Sequence, residues 1–192
     1  AVEKRCGTGL LQRLLTSSED VFIFGELHLF ARYLPSTLST ISVNEDEIRE
    51  STQKLADGDY SHGCPNALPR PEQVNQTIIA NFFNWVEIHK ATASQHGFSR
   101  WGLKLPIFDR QLIRIIQQLL PSSKHLCLYR DVHDVLKSNK ARGFVDNVVE
   151  SHKLCTQWAA KVKSLLDSDN ENLLPVKFEE LLDNQKEQTD RI

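Results

Sequence analysis

Two short stretches of this 192-residue chain combine positive charge, hydroxyls and small residues in a way that suits an anion. The first is Lys4-Arg5-Cys6-Gly7-Thr8-Gly9-Leu10-Leu11. A polar, glycine-bearing turn runs straight into an apolar helical segment, residues 10–15. Backbone N–H groups at a helix N-terminus carry the positive end of the helix dipole and point at whatever lies in front of it. Arg5, with Lys4 as a substitute, adds a full charge, and Thr8 adds a hydroxyl donor. The set suits a phosphate or a sulfate. It is not a Walker A loop, because the Gly-Lys-Ser/Thr ending is absent. Read alone, a basic residue and two glycines before a helix also describe an ordinary loop.

The second stretch is Arg130-Asp131-Val132-His133-Asp134-Val135-Leu136-Lys137-Ser138. Arg130 leaves an apolar strand, and Ser138 falls about two helical turns further on. Asp131 is a capping residue for that helix, and Asp134 sits in its first turn. An Arg at a strand end and a hydroxyl on the next helix can hold one phosphate from two directions. A surface Arg with an incidental Ser has the same spelling. Two further groups stand at strand ends: Glu26, after Val21-Phe22-Ile23-Phe24-Gly25, and Lys104, after Trp101-Gly102-Leu103. Glu26 is the first candidate for a general base, with a helix-capping or surface carboxylate as the plain alternative. His28 is the second candidate, although a lone His between Leu27 and Leu29 also reads as a packed side chain.

The elements that must position these groups follow in order. Residues 10–15 read as a helix and residues 21–24 as a buried, parallel strand. Asn44 can cap a helix bearing Ile48, Thr52 and Leu55 that Gly58 stops. Pro71 suits the first turn of a helix whose Val74, Ile78, Phe82, Trp85, Val86 and His89 repeat at helical spacing up to Gly97. The Asn75-Gln76-Thr77 sequon lies inside this helix and is discounted as a glycosylation site. Residues 101–104 read as a strand, and Phe108, Leu112, Ile115, Ile116 and Leu119 as a helix face. Residues 125–129 form another strand. Val148, His152, Cys155, Trp158, Val162 and Leu165 mark a long amphipathic helix, with Trp85 and Trp158 as core. A last strand covers residues 175–178, followed by a short helix at 179–182. Strands alternating with helices predict an α/β fold with a parallel sheet. Ligands of such sheets sit beyond the carboxyl ends of the strands. Arg5, Glu26, Lys104 and Arg130 all fall there, which points to one site.

Composition bounds the rest. The length predicts one domain, residues 1–192, with a helical insert at about 30–97. Hydrophobic residues make up 40% and charged residues 25%, ordinary for a globular chain. A net charge of −2 argues against a general nucleic-acid binder, so an anion site must be a local basic cluster. No apolar run reaches the ~18 residues of a membrane span. The 4 cysteines (Cys6, Cys64, Cys127, Cys155) have neither a CxxC pair nor metal-ligand spacing, which predicts free thiols, a reducing cytoplasmic setting and no metal. The chain contains 0 methionines and meets its first motif at residue 4, as expected of a fragment.

Read together, these segments resemble the sulfotransferases that use 3′-phosphoadenosine 5′-phosphosulfate, in the bacterial and tyrosylprotein-sulfotransferase-like branch. Arg5-Cys6-Gly7-Thr8-Gly9-Leu10-Leu11 resembles the family's 5′-phosphosulfate loop. Arg130 and Ser138 match the Arg and Ser that bind the 3′-phosphate. Trp101-Gly102-Leu103-Lys104-Leu105-Pro106 resembles a Trp-Gly-x-Lys-x-Pro strand end. Val176-Lys177-Phe178-Glu179-Glu180-Leu181 resembles a late Tyr-Glu-Asp-Leu element, and Phe24-Gly25-Glu26 a Gly-Glu after the second strand. Cys6 stands where Ser is usual, Gly9 where a second Thr is usual, and Val132 and His133 where Pro and a basic residue are common. The late Arg-Lys-Gly adenosine loop of cytosolic members has no clear counterpart.

The resemblance implies a P-loop-like three-layer fold, a central parallel β-sheet flanked by helices. It implies transfer of a sulfuryl group to a hydroxyl or amine, leaving adenosine 3′,5′-bisphosphate, without a metal. Arg5 or Lys4 would hold the phosphosulfate. The N–H groups from Gly7 to Leu10, those of Thr8 and Gly9 included, would cradle the 5′-phosphate beside Cys6. Arg130 and Ser138 would take the 3′-phosphate, Glu26 would act as base, and Lys104 would neutralise the sulfuryl or acceptor side. The acceptor class stays open among small molecules, carbohydrates and peptides, with the insert shaping its pocket. A non-catalytic relative that binds a nucleotide or a partner is the first alternative. A small P-loop kinase is the second, although it needs a Walker Lys and a magnesium carboxylate that the loop does not offer.

Overall fold

The computed structural model describes residues 1–26, 45–59, 71–106 and 108–192. His28, the alternative base, and Cys64 lie outside the described residues. The chain divides into two compact units, Ala1–Leu27 with Trp101–Ile192, and His28–Arg100.

In the first unit the loop after Val2 leads into α1 (Thr8–Thr16). β1 (Val21–Glu26) follows, two residues longer than its apolar run predicts, so that Glu26 ends the strand. β2 (Arg100–Lys104) pairs with β1. In the second unit, α2 (Glu45–Ala56) touches α3 (Pro71–Gln95). Phe82, Val86 and Ala93 are the buried face of α3, and Trp85 stacks on Phe82 with ring centroids 6.4 Å apart. His89 lies one turn on, its Nδ1 2.8 Å from the Trp85 carbonyl oxygen. Gly97, at φ 85°, supplies the left-handed turn that ends this run.

The rest of the first unit runs α4 (Arg110–Leu119), β3 (His125–Tyr129), α5 (Val132–Lys140), α6 (Val148–Leu166), β4 (Leu173–Lys177), α7 (Phe178–Asp183) and α8 (Gln185–Arg191). The sequence pattern does not foretell α8. β3 and β4 are parallel, with Cys127 opposite Pro175 and Leu128 opposite Val176. Parallel neighbours need a long crossover, which α5 and α6 supply.

β3 is the hub. Its side chains alternate across the sheet, and both faces are covered. Leu128 joins a buried cluster with Cys6, Leu11, Val135, Val176 and Leu181, drawn from the loop, α1, α5, β4 and α7. Cys127 joins a second cluster with Val2, Phe108, Val162 and Leu165. Burying each of these large side chains contributes about 1.5–3 kcal/mol. The first cluster therefore ties the loop before α1 and the helix that follows Arg130 to one strand.

The expected central sheet takes a more divided form among the described residues. Two two-stranded sheets, β1–β2 and β3–β4, are formed. Between them run residues 1–2: the Val2 N–H donates to the Leu128 carbonyl at 2.9 Å, and the Ala1 nitrogen donates to the Leu105 carbonyl at 3.1 Å. A two-residue stretch is too short to build a ladder on either side. A second departure concerns α6: Val148, expected on its apolar face, is 83% exposed, and contact with the core comes from later positions, Leu154, Trp158, Val162 and Leu165.

Candidate active site

The loop before α1 is held in an unusual backbone shape. Gly7 sits at φ 93°, and Arg5, a residue with a Cβ, sits at φ 69°. Left-handed geometry at a non-glycine residue costs on the order of 1 kcal/mol or more and persists only where the surroundings impose it. The surroundings here are Cys6, fully buried between those two residues, and Glu3, whose carboxylate accepts from the Lys4 N–H at 3.0 Å and from Lys161 Nζ at 2.9 Å. The Gly7 carbonyl accepts from the N–H groups of Leu10 and Leu11 and so starts the helix. Thr8 and Gly9 stand ahead of those two, where N–H groups have no acceptor within a helix.

The Cys6 thiol faces the core, and burial pushes its pKa up. Any contribution of Cys6 to an anion would therefore come from its backbone N–H, not its side chain. Gly9 has open space where a side chain would stand, so crowding does not explain the missing second Thr. Gly7 differs. A Cβ there would overlap Phe178 Cδ2 and Cε2. Lys4 is directed outward, its Nζ 5.5 Å from the Phe144 ring centroid.

The second stretch is built as its spelling predicts. Asp131 caps α5, its carboxylate accepting from the N–H groups of His133 (2.9 Å) and Asp134 (3.3 Å). Its own N–H donates to Glu179 Oε1 at 2.9 Å, which ties the helix start to α7. His133 is solvent-facing. Arg130 is clamped on several sides. Its carbonyl accepts from Trp158 Nε1 at 3.1 Å, its Nη2 donates to Asp134 Oδ2 at 3.2 Å, and its guanidinium lies 4.7 Å from the Phe178 ring centroid. Arg130 Nε and Glu179 Oε2 are buried without a hydrogen-bond partner. An unmatched buried donor on an arginine beside a helix N-terminus is what an anion would satisfy.

The two stretches meet. Arg5 Nε donates to Ser138 Oγ at 3.1 Å, across 133 residues of sequence. Glu26 and Lys104, the other two candidates, form an ion pair at 3.1 Å, with Lys104 about one-fifth and Glu26 about one-third exposed. Gln12 Nε2 ties α1 to β1 through the Ile23 carbonyl at 2.9 Å. A cavity of ≈ 190 Å³ lies behind the loop, lined among others by Thr8, Gln12, Lys104, Asp109 and His125. It places Thr8 and Lys104 on one void, but Arg5, Arg130 and Ser138 do not line it.

Sequence reasoning missed four contributors. From the sequence Asp134 reads only as a first-turn acid, Trp158 only as core, and Phe178 and Glu179 only as parts of a spelling. A repeated acid at 131 and 134 was a signal for the first. The others reach Arg130 from distant elements, and no local pattern announces them. Among the described residues, no group of His, Cys, Asp and Glu is arranged to hold a metal ion, and no helix is long and apolar enough to cross a membrane. The model of the sulfotransferase family matches residues 3–192. No curated protein matches the chain.

Proposed function

The chain belongs to the sulfotransferase family, and on that premise we propose that it moves a sulfuryl group from 3′-phosphoadenosine 5′-phosphosulfate to a hydroxyl or amine acceptor. The observation that carries this reading is the hydrogen bond from Arg5 to Ser138, which brings two independently predicted anion-holding stretches into one place. The buried, unpartnered Nε of Arg130 fits a phosphate ligand there. When bound, the donor supplies the sulfuryl group and a nucleotide bisphosphate that accepts the charge of the broken bond.

Each residue's part follows from its setting. Arg130 and Ser138 hold the 3′-phosphate, Arg130 in an orientation already imposed by Asp134, Phe178 and Trp158. N–H groups of residues 7–10 face the 5′-phosphate, with Thr8 Oγ1 beside them. Arg5, or Lys4 in its place, stabilises charge on the bridging oxygen as that bond breaks. Ser138 holds the Arg5 side chain near this position in the protein alone. Glu26 takes the acceptor's proton, and Lys104, paired with it, orients the carboxylate and meets negative charge on the acceptor side. Most of the rate enhancement is positioning and charge stabilisation, and no metal is required.

The acceptor is a small molecule, a carbohydrate or a peptide. The setting is cytoplasmic. The P-loop-like fold of the family would bring the two two-stranded sheets into one central parallel sheet, with residues 1–2 as the short segment between them. A non-catalytic nucleotide-binding relative is the second reading, favoured by the loss of the loop hydroxyls at Cys6 and Gly9.

Calorimetric titration with adenosine 3′,5′-bisphosphate, without magnesium and with Arg130→Ala alongside, tests the proposal. Micromolar binding that the substitution abolishes, with ATP binding weaker, supports it. Preference for magnesium-ATP would point to kinase chemistry. Binding without sulfuryl transfer to any hydroxyl or amine acceptor would favour the second reading.

A further inference from the structure

Phe178 is the first residue of α7 and directly follows the last residue of β4. Three observations converge on it. Its ring face carries the Arg130 guanidinium, 4.7 Å from the centroid. Its ring edge fills the space beside the Gly7 Cα so completely that a Cβ at position 7 would overlap Cδ2 and Cε2. Its body packs against the buried cluster that contains Cys6, Leu128 and Leu181, so the ring is backed by core rather than by solvent. The next residue, Glu179, holds the neighbour of Arg130 through the Asp131 N–H. One turn of α7 thus touches both halves of the anion site.

We propose that Phe178 is a positioning residue. It fixes the Arg130 guanidinium with its face and the height of the Gly7 turn with its edge, so that the 3′-phosphate and 5′-phosphate sites keep one spacing. The inference rests on the nucleotide reading above and adds a residue that acts through Arg130 rather than by touching the ligand. The cation–π contact is suited to this task. It orients a planar guanidinium without consuming its N–H donors, which stay available to an anion. An acidic partner in the same place would occupy those donors. Asp134 takes only Nη2, and Nε is left without a partner.

The test compares the full chain with Phe178→Leu and Phe178→Tyr, titrated with adenosine 3′,5′-bisphosphate and with adenosine 5′-monophosphate, and melted without ligand. The expected result is a roughly tenfold loss of bisphosphate affinity in the Leu variant, the size of a lost, partly desolvated cation–π contact. Monophosphate affinity and the melting midpoint should change little, and Tyr should restore bisphosphate binding. Equal loss for both nucleotides together with a lowered midpoint would reduce Phe178 to packing, and unchanged affinity in the Leu variant would overturn the inference outright. Should the Leu variant not fold, pentafluorophenylalanine at position 178 keeps the shape and reverses the charge of the ring face. Bisphosphate binding must then weaken, and equal binding would overturn the inference. A wild-type chain that binds neither nucleotide would remove the nucleotide reading itself, a failure visible before any substitution is made.

Discussion

Glu26 and Lys104 illustrate how little a residue's identity says without its partner. Each reads from the sequence as a lone charge at a strand end, and in the structure they hold one another at 3.1 Å. Glu26→Gln should leave bisphosphate binding within about twofold and reduce turnover by the 10²–10⁴-fold typical of a lost general base. A Gln variant with near-normal turnover would remove Glu26 from that role. Gly7 makes a different prediction, about folding. Gly7→Ala meets both a left-handed φ and the Phe178 ring, and should destabilise by about 2–4 kcal/mol in urea unfolding. Adding Phe178→Leu should recover part of that loss, because the ring contributes the steric share and the backbone the remainder. Full additivity of the two substitutions would mean that the ring does not press on the turn.

At the level of helices and strands, caps and crossovers set where charges point. Asp131 accepts from two N–H groups at the start of α5, and Asp109 does the same for α4 through Gln111 and Leu112. Replacing either with Ala should cost about 1 kcal/mol of stability. Only Asp131→Ala should also weaken bisphosphate binding, since that cap adjoins Arg130 and the Glu179 contact. Comparable stability losses with unequal nucleotide affinity would separate positioning from general helix stability. Cys6, between two left-handed residues, is tied to the core cluster of α1, α5 and α7. Its buried thiol, with a raised pKa, should resist alkylation in the folded chain and react once the chain is unfolded.

The packing of unit Ala1–Leu27 with Trp101–Ile192 sets the pH range of stability. His125 is half-buried at the start of β3, and burial lowers its pKa below 6.5. Its unfolded form takes up a proton first as pH falls. The contribution is therefore complete above about 6.5 and lost below it. Cys127, on the same strand, is pushed up to about 11 from 9.0. Its unfolded form loses the proton first, so stability holds below 9.0 and falls as pH rises towards 11. Urea midpoints should fall on the acid side as His125 takes up its proton in the unfolded chain, and on the alkaline side as Cys127 loses its own there. His125→Gln should flatten the acid side alone, and an unaltered acid slope in that variant would assign the effect to other groups.

The amino-acid sequence by itself determined what depends on neighbours along the chain. The helix of residues 71–95 follows from its apolar period, the α5 cap from Asp131, the turn after α3 from Gly97, and β3 from an apolar run between polar ends. Each is fixed within a turn or two, where backbone sterics and side-chain periodicity act. The candidate anion residues were legible for the same reason, since Arg5, Gly7 and Thr8 sit together, and Arg130 stands just before α5 while Ser138 lies within it. Only the tertiary structure decided which faces meet. The Arg5–Ser138 hydrogen bond spans 133 residues, Glu26 meets Lys104 across paired strands, and Phe178 reaches Gly7 and Arg130 from the far end of the chain. It also decided that Cys6 turns inward and that Val148 remains outside. The physical reason is that local preferences specify which side of an element is apolar. Which apolar sides share a core, and which polar groups are carried together with them, is set by the packing of distant segments around β3.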